Sequence, residues 1–397
     1  MSDDRYLLIS ADCHGGGSID QYREYLDPQY RDEFDAWRGR YSNPFRDLQA
    51  GGRTRNWDGE RRTHELEEDG VVAEVVFPNT VPPFFPTGAV IARPPTAAEF
   101  ELRLAGATAH NRWLADFCAE AHGRRAGLAQ FFLNDVDEAV AAVHFAKEHR
   151  LTGGVLLPGR PDDTDLAPLY DPVYEPLWSA CEDLDVPITH HSGQGSPDYG
   201  RGAAAGVMWI VETQFFSHRP LWQLIMGGVF ERHPRLRFVI TESGCTWIPD
   251  TLKMLDGFHA QMASGRIGEL KYTEEERLSL RPSEYFARNC YVGVSFPSPA
   301  ESAAMRRVGL DRVMWGSDYP HHESTYPYTT EGLRRAFADW DPAEVRQVTS
   351  ENVARVYDFD LDALRPVGDR VGPRVDEVRV PLETVPADSA SPAFTRR

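Results

Sequence analysis

Short apolar runs recur along the chain, each closed by glycine, proline or a polar residue. The first, Leu7 to Ile9, leads into Ser10-Ala11-Asp12-Cys13-His14 and then three glycines. A brief continuous apolar run of this kind reads as a buried strand. Similar runs lie over residues 70–79, 126–133, 152–158, 186–193, 236–244, 289–296 and 312–320. Between them the pattern predicts helices over 97–122, 136–149, 173–183, 208–232, 247–262 and 299–308, then 328–338 and 343–357. Thr96 and Glu99 form a capping box for the first of these, and Asp135 caps the second. Pro220 is expected to interrupt the helix over 208–232. Eight strands, mostly separated by helices, predict an α/β fold of the (β/α)8 TIM-barrel type rather than an open sheet.

Two stretches depart from this alternation. Residues 18–69 form a long insertion after the first strand. It is rich in aromatics (Tyr22, Tyr25, Tyr30, Phe34, Trp37, Tyr41, Phe45 and Trp57) and has no sustained period. Because it follows a strand's C-terminal end, it is expected either to act as a lid, with Trp57 or its neighbours lining a pocket, or to be a packed excursion. Residues 366–397 are rich in proline, valine and charge, and read as an extended C-terminal tail. The expected organisation is one barrel over 1–365 and that tail. No internal repeat is found.

Composition narrows the partners. The 397 residues carry 42 Lys and Arg against 61 Asp and Glu, a net charge of -19. So acidic a chain argues against a nucleic-acid groove or an anionic membrane surface. The partner is therefore expected to be a small-molecule substrate. The five cysteines have no paired spacing, and the N-terminus lacks an apolar signal core. Both fit a cytoplasmic protein with free thiols. No segment is apolar for long enough to span a bilayer.

The chemistry collects at strand ends. Strand one ends in Asp12 and His14, strand five in His190 and His191, strand six in Glu242, and strand eight in Asp318, followed by His321, His322 and Glu323. In a barrel the C-terminal strand ends carry the site. A single histidine there would more often be a buried structural residue; four strands with metal-competent endings are a ligand set. Alternation turns Asp12 and His14 the same way and separates His190 from His191. Gly316 keeps side-chain bulk away from the neighbourhood of Asp318. Arg53, Arg55, Arg61 and Arg62 could hold a substrate carboxylate, but a solvated charged loop is the better expectation.

Several motifs together resemble the amidohydrolase superfamily, in its amidohydrolase-2 branch with the aminocarboxymuconate semialdehyde decarboxylase-like enzymes. They are Ser10 to His14, Gly70 to Glu74, Phe230 to Pro234, Thr241 to Pro249, Trp315 to His321 and Glu351 to Tyr357. The resemblance covers about residues 5–360. It implies a metal held by Asp12, His14, His191 and Asp318, and His191 is favoured over His190 by its position just before the loop. Two departures stand out. Asp12 replaces the first histidine of the commonest His-x-His motif, and Glu242 stands where the resembled decarboxylases carry a histidine. Glu242 is then a second metal ligand or a general base, and His321 a further ligand. The donors suit one or two divalent ions, Zn, Mn or Fe. Dimers are common in this family, so a homodimer is an expectation.

The function expected is metal-dependent hydrolysis of a small organic substrate by metal-activated water, with Glu242 or Asp318 handling the proton. Decarboxylation is its near neighbour. The alternative, suggested by the carboxylate-rich set, is a nonheme diiron monooxygenase hydroxylating a small molecule. A third possibility is a noncatalytic binding barrel. Specificity is expected in residues 18–69, 79–96 and 193–208.

Overall fold

The computed structural model describes residues 4–42, 50–266 and 271–396. Eight parallel strands stand in sequential order: β1 Leu8–Gly15, β2 Val71–Pro78, β3 Arg125–Gln130, β4 Gly154–Leu156, β5 Ile188–His191, β6 Phe238–Thr241, β7 Cys290–Ser295 and β8 Val313–Gly316. Every strand residue is buried, as parallel strands covered by helices require. The ring closes just beyond β8. Asp318 N–H donates to the Asp12 carbonyl (2.8 Å), and His14 N–H donates to the Tyr319 carbonyl (2.6 Å). This closure is the (β/α)8 barrel expected from the sequence, and it sets Asp12 beside Asp318.

The helices keep the expected order with three differences. The helix Ala203–Met226 runs straight through Pro220. The proline is buried against the core, and packing there outweighs the lost hydrogen bond. The chain breaks instead at Gly227 and Gly228, where Gly228 takes φ +73°. A helix that the pattern missed, Pro282–Asn289, precedes β7. The tail is not extended throughout. Leu361–Val371 is a helix that spans the expected boundary at 365/366, and short helices follow at Val375–Val378 and Pro392–Thr395. Its apolar face, Leu364 and Gly368, covers Leu7 at the base of β1.

Among the described residues, the insertion after β1 folds as the helices Ile19–Tyr25, Arg31–Arg38 and Gly59–Glu68, with a 3-10 turn over Ala50–Asn56 before the last. Phe34 and Trp37 pack with Phe84. Tyr22 is fully buried, and its hydroxyl meets Thr80 and His110. Phe45, counted among the aromatics of the expected lid, lies outside the described residues.

Candidate metal centre

Asp12 stands where β1 bulges. Ser10 pairs with Glu74 and Cys13 with Val76, so β1 takes three steps for two of β2. A bulge re-aims side chains and is frequent beside functional sites. The Ser10 hydroxyl donates to the Asp12 carbonyl at 2.7 Å and pins the kink. Beneath it, Arg62 is fully buried and donates to the His14 carbonyl (2.6 Å) and, through Nε, to Glu74 (2.7 Å). Arg62 is thus neither a solvated loop residue nor a substrate clamp. It ties the insertion to the end of β1. Arg55 and Arg61 are spent on Glu65.

Four strand ends deliver the donors to one space. His14 Nε2 lies 3.4 Å from Asp12 Oδ1 and 3.2 Å from Asp318 Oδ1. His191 Nε2 lies 3.6 Å from Asp12 Oδ1 and 3.2 Å from Glu242 Oε2. Asp12, His14, His191 and Glu242 each offer an atom within 4.8 Å of the others. Asp12 Oδ1, His14 Nε2, His191 Nε2 and Asp318 Oδ2 are buried, with no hydrogen-bond partner among the described residues. Orphaned donors and acceptors on this scale are unfavourable unless something joins them. Ligands about 2.0–2.2 Å from one divalent ion sit at about this mutual spacing, so the set fits a metal.

The surroundings orient the donors. His191 Nδ1 donates to the Ser192 carbonyl (2.9 Å), which leaves the Nε2 lone pair facing the cluster in the neutral ring. The His191 N–H is taken by Gln194 Oε1 at 3.1 Å. Ser295, at the end of β7, donates to Asp12 Oδ2. His190 turns the other way and donates to the Leu157 carbonyl at 3.2 Å. His321 stacks on His14 at 4.1 Å. Both its nitrogens are engaged, Nδ1 with Asp318 Oδ1 (3.0 Å) and Nε2 with Asn79 Oδ1 (2.9 Å). In this arrangement His321 is the proton-bearing partner of Asp318, and it would have to give up a hydrogen bond to become a ligand. His322 is exposed, while Glu323 reaches the pocket rim.

The electrostatics divide the carboxyl groups. Burial works to raise Asp12 and Asp318, yet the imidazoles beside them hold both below the ordinary carboxylate range. Glu242 goes the other way. Burial and then the Asp318 charge push it up to about 8, although a fifth of its side chain stays open. Burial disfavours the His321 cation, but the Asp318 charge outweighs it and raises His321 to about 10. Glu242 and Asp318 both take left-handed backbone, φ +57° and +66°. Strain of this kind concentrates at functional sites.

A cavity of about 240 Å³ opens onto His14, His191, Glu242 and His321. Its apolar wall is Val90 and Ile91 from the β2 loop and Trp209 from the helix after β5. The expected loops 79–96 and 193–208 therefore reach the pocket. Trp57 does not line it; it packs into the core, with Arg53 over its ring. Asn79, Gln194 and Ser295 were missed in the sequence. They too sit at or just beyond strand ends, but an uncharged polar residue there carries little signal.

Curated relatives include gamma-resorcylate decarboxylases. That of Rhizobium sp. (strain MTP-10005) is 26% identical over 220 residues, 53% of this chain and 64% of the enzyme. The chain thus spans just under two thirds of that relative's length. That of Rhodococcus jostii (strain RHA1) is 28% identical over 258 residues, 62% of this chain and 72% of the enzyme. A crystal structure of 5-carboxyvanillate decarboxylase from Novosphingobium aromaticivorans, complexed with manganese and 4-hydroxy-3-methoxy-5-nitrobenzoic acid, has a similar fold. It superposes with TM-score 0.64 at 22% identity, covering 90% of this chain and 99% of that one. The Amidohydro_2 family model, described as amidohydrolase, matches residues 36–359, the run from within the insertion to beyond β8. On that match, over a barrel with its donors gathered at the strand ends, the chain belongs to the amidohydrolase family.

Proposed function

We propose that this protein is a metal-dependent decarboxylase of a small aromatic acid. The observation that carries the reading is the gathering of Asp12, His14, His191 and Glu242 within 4.8 Å of one another, with Asp318 beside His14, and with Asp12 Oδ1, His14 Nε2, His191 Nε2 and Asp318 Oδ2 buried and unpartnered among the described residues. These residues would hold the metal, with manganese suggested by the related structure and zinc or iron compatible with the donors. When bound, the metal supplies positive charge that orients and polarises a substrate carboxylate.

The chain's own residues supply the rest. Val90, Ile91 and Trp209 offer an apolar wall for a ring. Glu242, held protonated near neutrality by burial and the Asp318 charge, can hand a proton to the carbon that loses CO2. His321 fixes the Asp318 carboxylate through Nδ1 and is itself fixed by Asn79. The names of the relatives favour decarboxylation over hydrolysis. Hydrolysis would use the same donors, with Glu242 as base. Nothing in the relatives' names supports the oxygenase alternative.

The test is to load the purified protein with manganese or zinc and offer a panel of hydroxybenzoates and carboxyvanillate-type acids. Labelled CO2 release is expected from at least one. Hydrolysis of amides or lactones with no CO2 from any acid would overturn the reading.

A further inference from the structure

Behind the apolar wall of the pocket lies a second polar feature. Arg103, on the helix Phe100–Ala119, is 3% exposed. Its Nη1 donates to the Arg93 carbonyl at 2.7 Å. Its Nε and Nη2 have no hydrogen-bond partner among the described residues. Phe85 and Phe132 lie at the guanidinium, 4.4 and 5.2 Å from their ring centres. Gln130, the last residue of β3, is also buried. Its main chain is held by the Asn111 side chain on both sides, and its Nε2 is likewise unpartnered.

Arg103 and Gln130 line one small cavity, about 20 Å³, roofed by Ala92 and Pro94 of the β2 loop. Among the described residues, no carboxylate lines it. Glu99, one turn back on the chain, spends its carboxylate on Thr96, accepting from the N–H at 2.9 Å and the hydroxyl at 2.8 Å. The Glu99 charge acts on Arg103 from there without a hydrogen bond to it, yet burial still pulls the guanidinium below its ordinary range, so part of the cost of burying it is left unmet. Stacking on two rings offsets part of that. The three unpartnered atoms, Arg103 Nε and Nη2 and Gln130 Nε2, are all donors. The space suits one group the size of a water molecule.

We infer that this cavity is a binding site for a small monovalent anion of halide size, held by Arg103 and Gln130. The site is one loop thick from the candidate metal pocket. Gly88, Val90 and Ile91 face that pocket, while Ala89, Ala92 and Pro94 face the anion site. Gln194, which takes the His191 N–H, lines the same cavity. An anion there stiffens the pocket wall and the approach to His191. The inference does not depend on which reaction the pocket performs.

The test is thermal unfolding of the full chain in sodium chloride and sodium bromide against sodium gluconate at equal ionic strength, since gluconate is too large to enter. The halides are expected to raise Tm by a few degrees, with saturation as their concentration rises. The difference is expected to vanish in Arg103→Met. Should that variant not fold, Gln130→Met is expected to shift the halide midpoint severalfold upward. Crystals grown in bromide are expected to show an anomalous peak at hydrogen-bond distance from Arg103 Nε or Nη2. Equal Tm values in all three salts, a halide effect retained in both variants, or a bromide-soaked crystal with no such peak would each overturn the inference.

Discussion

Asp318 and Glu242 both take left-handed backbone, and their carboxylates approach within 4.8 Å of each other at the donor cluster. Asp318 is fully buried and touches both His14 and His321, so replacing its charge removes a donor and a partner together. Asp318→Asn is expected to lose bound metal and turnover. Glu242→Gln is expected to keep the metal but lose about 10²- to 10⁴-fold in rate, the usual scale for one acid–base group. Metal content by mass spectrometry, set beside steady-state rates, checks both. Near-normal rates with unchanged metal in the two variants would refute these roles. A third carboxyl group, Asp69, makes a test of stability instead. It is buried, accepts from Thr329 N–H (3.0 Å) and the Thr329 hydroxyl (2.6 Å), and burial lifts it from 3.8 to about 7. Between those values the unfolded chain has released the proton that the folded chain retains. Stability from this group is therefore complete below about pH 4, falls as pH rises toward 7, and levels off above. Asp69→Asn is expected to remove that part of the pH dependence and to raise Tm relative to the parent at pH 8. Parallel Tm–pH curves for the two proteins would refute it.

At the scale of elements, pocket and insertion part company. Short continuous apolar runs marked the strands, and the candidate donors were read from their ends, because a barrel delivers side chains to its site at the C-terminal ends of its strands. The insertion looked like a lid because it is aromatic and follows β1. Of its described aromatics, Phe34 and Trp37 pack against Phe84, and Tyr22 packs against His110 and Trp113. The pocket wall comes from the β2 loop and the helix Ala203–Met226. Trp209→Ala is thus expected to raise KM for the true substrate. Trp57→Ala is expected to lower Tm with KM unchanged. Steady-state kinetics and thermal melts on the pair decide, and a KM effect confined to Trp57 would restore the lid.

The whole molecule is held shut at two places, and each has its own sequence legibility. Above, β1 closes onto the chain after β8, and this brings Asp12 and Asp318 together. A Cβ on Gly316 would come within 2.7 Å of Asp12 Cβ, so the glycine that the motif displays is required by the closure itself. Below, the helix Leu361–Val371 covers β1, and Tyr6 N–H donates to the Pro373 carbonyl at 3.0 Å. Truncation after Asp360 is expected to lower Tm by several degrees or abolish soluble expression, since burial of one leucine such as Leu364 is worth about 1.5–3 kcal/mol. An unchanged melt would mean that the tail only wraps loosely. By itself the sequence determined the strand count, the barrel, and the residues that end β1, β5, β6 and β8. These follow from short continuous apolar runs and from side-chain chemistry confined to short segments. Only the tertiary structure decided that Arg62 is buried rather than solvated, that Pro220 is tolerated, and that His321 is tied to Asp318 and Asn79. It alone brought Val90 and Ile91 of the β2 loop, with Trp209, to the pocket wall. Each of these depends on which distant segment packs against the residue, and spacing along the chain does not encode that.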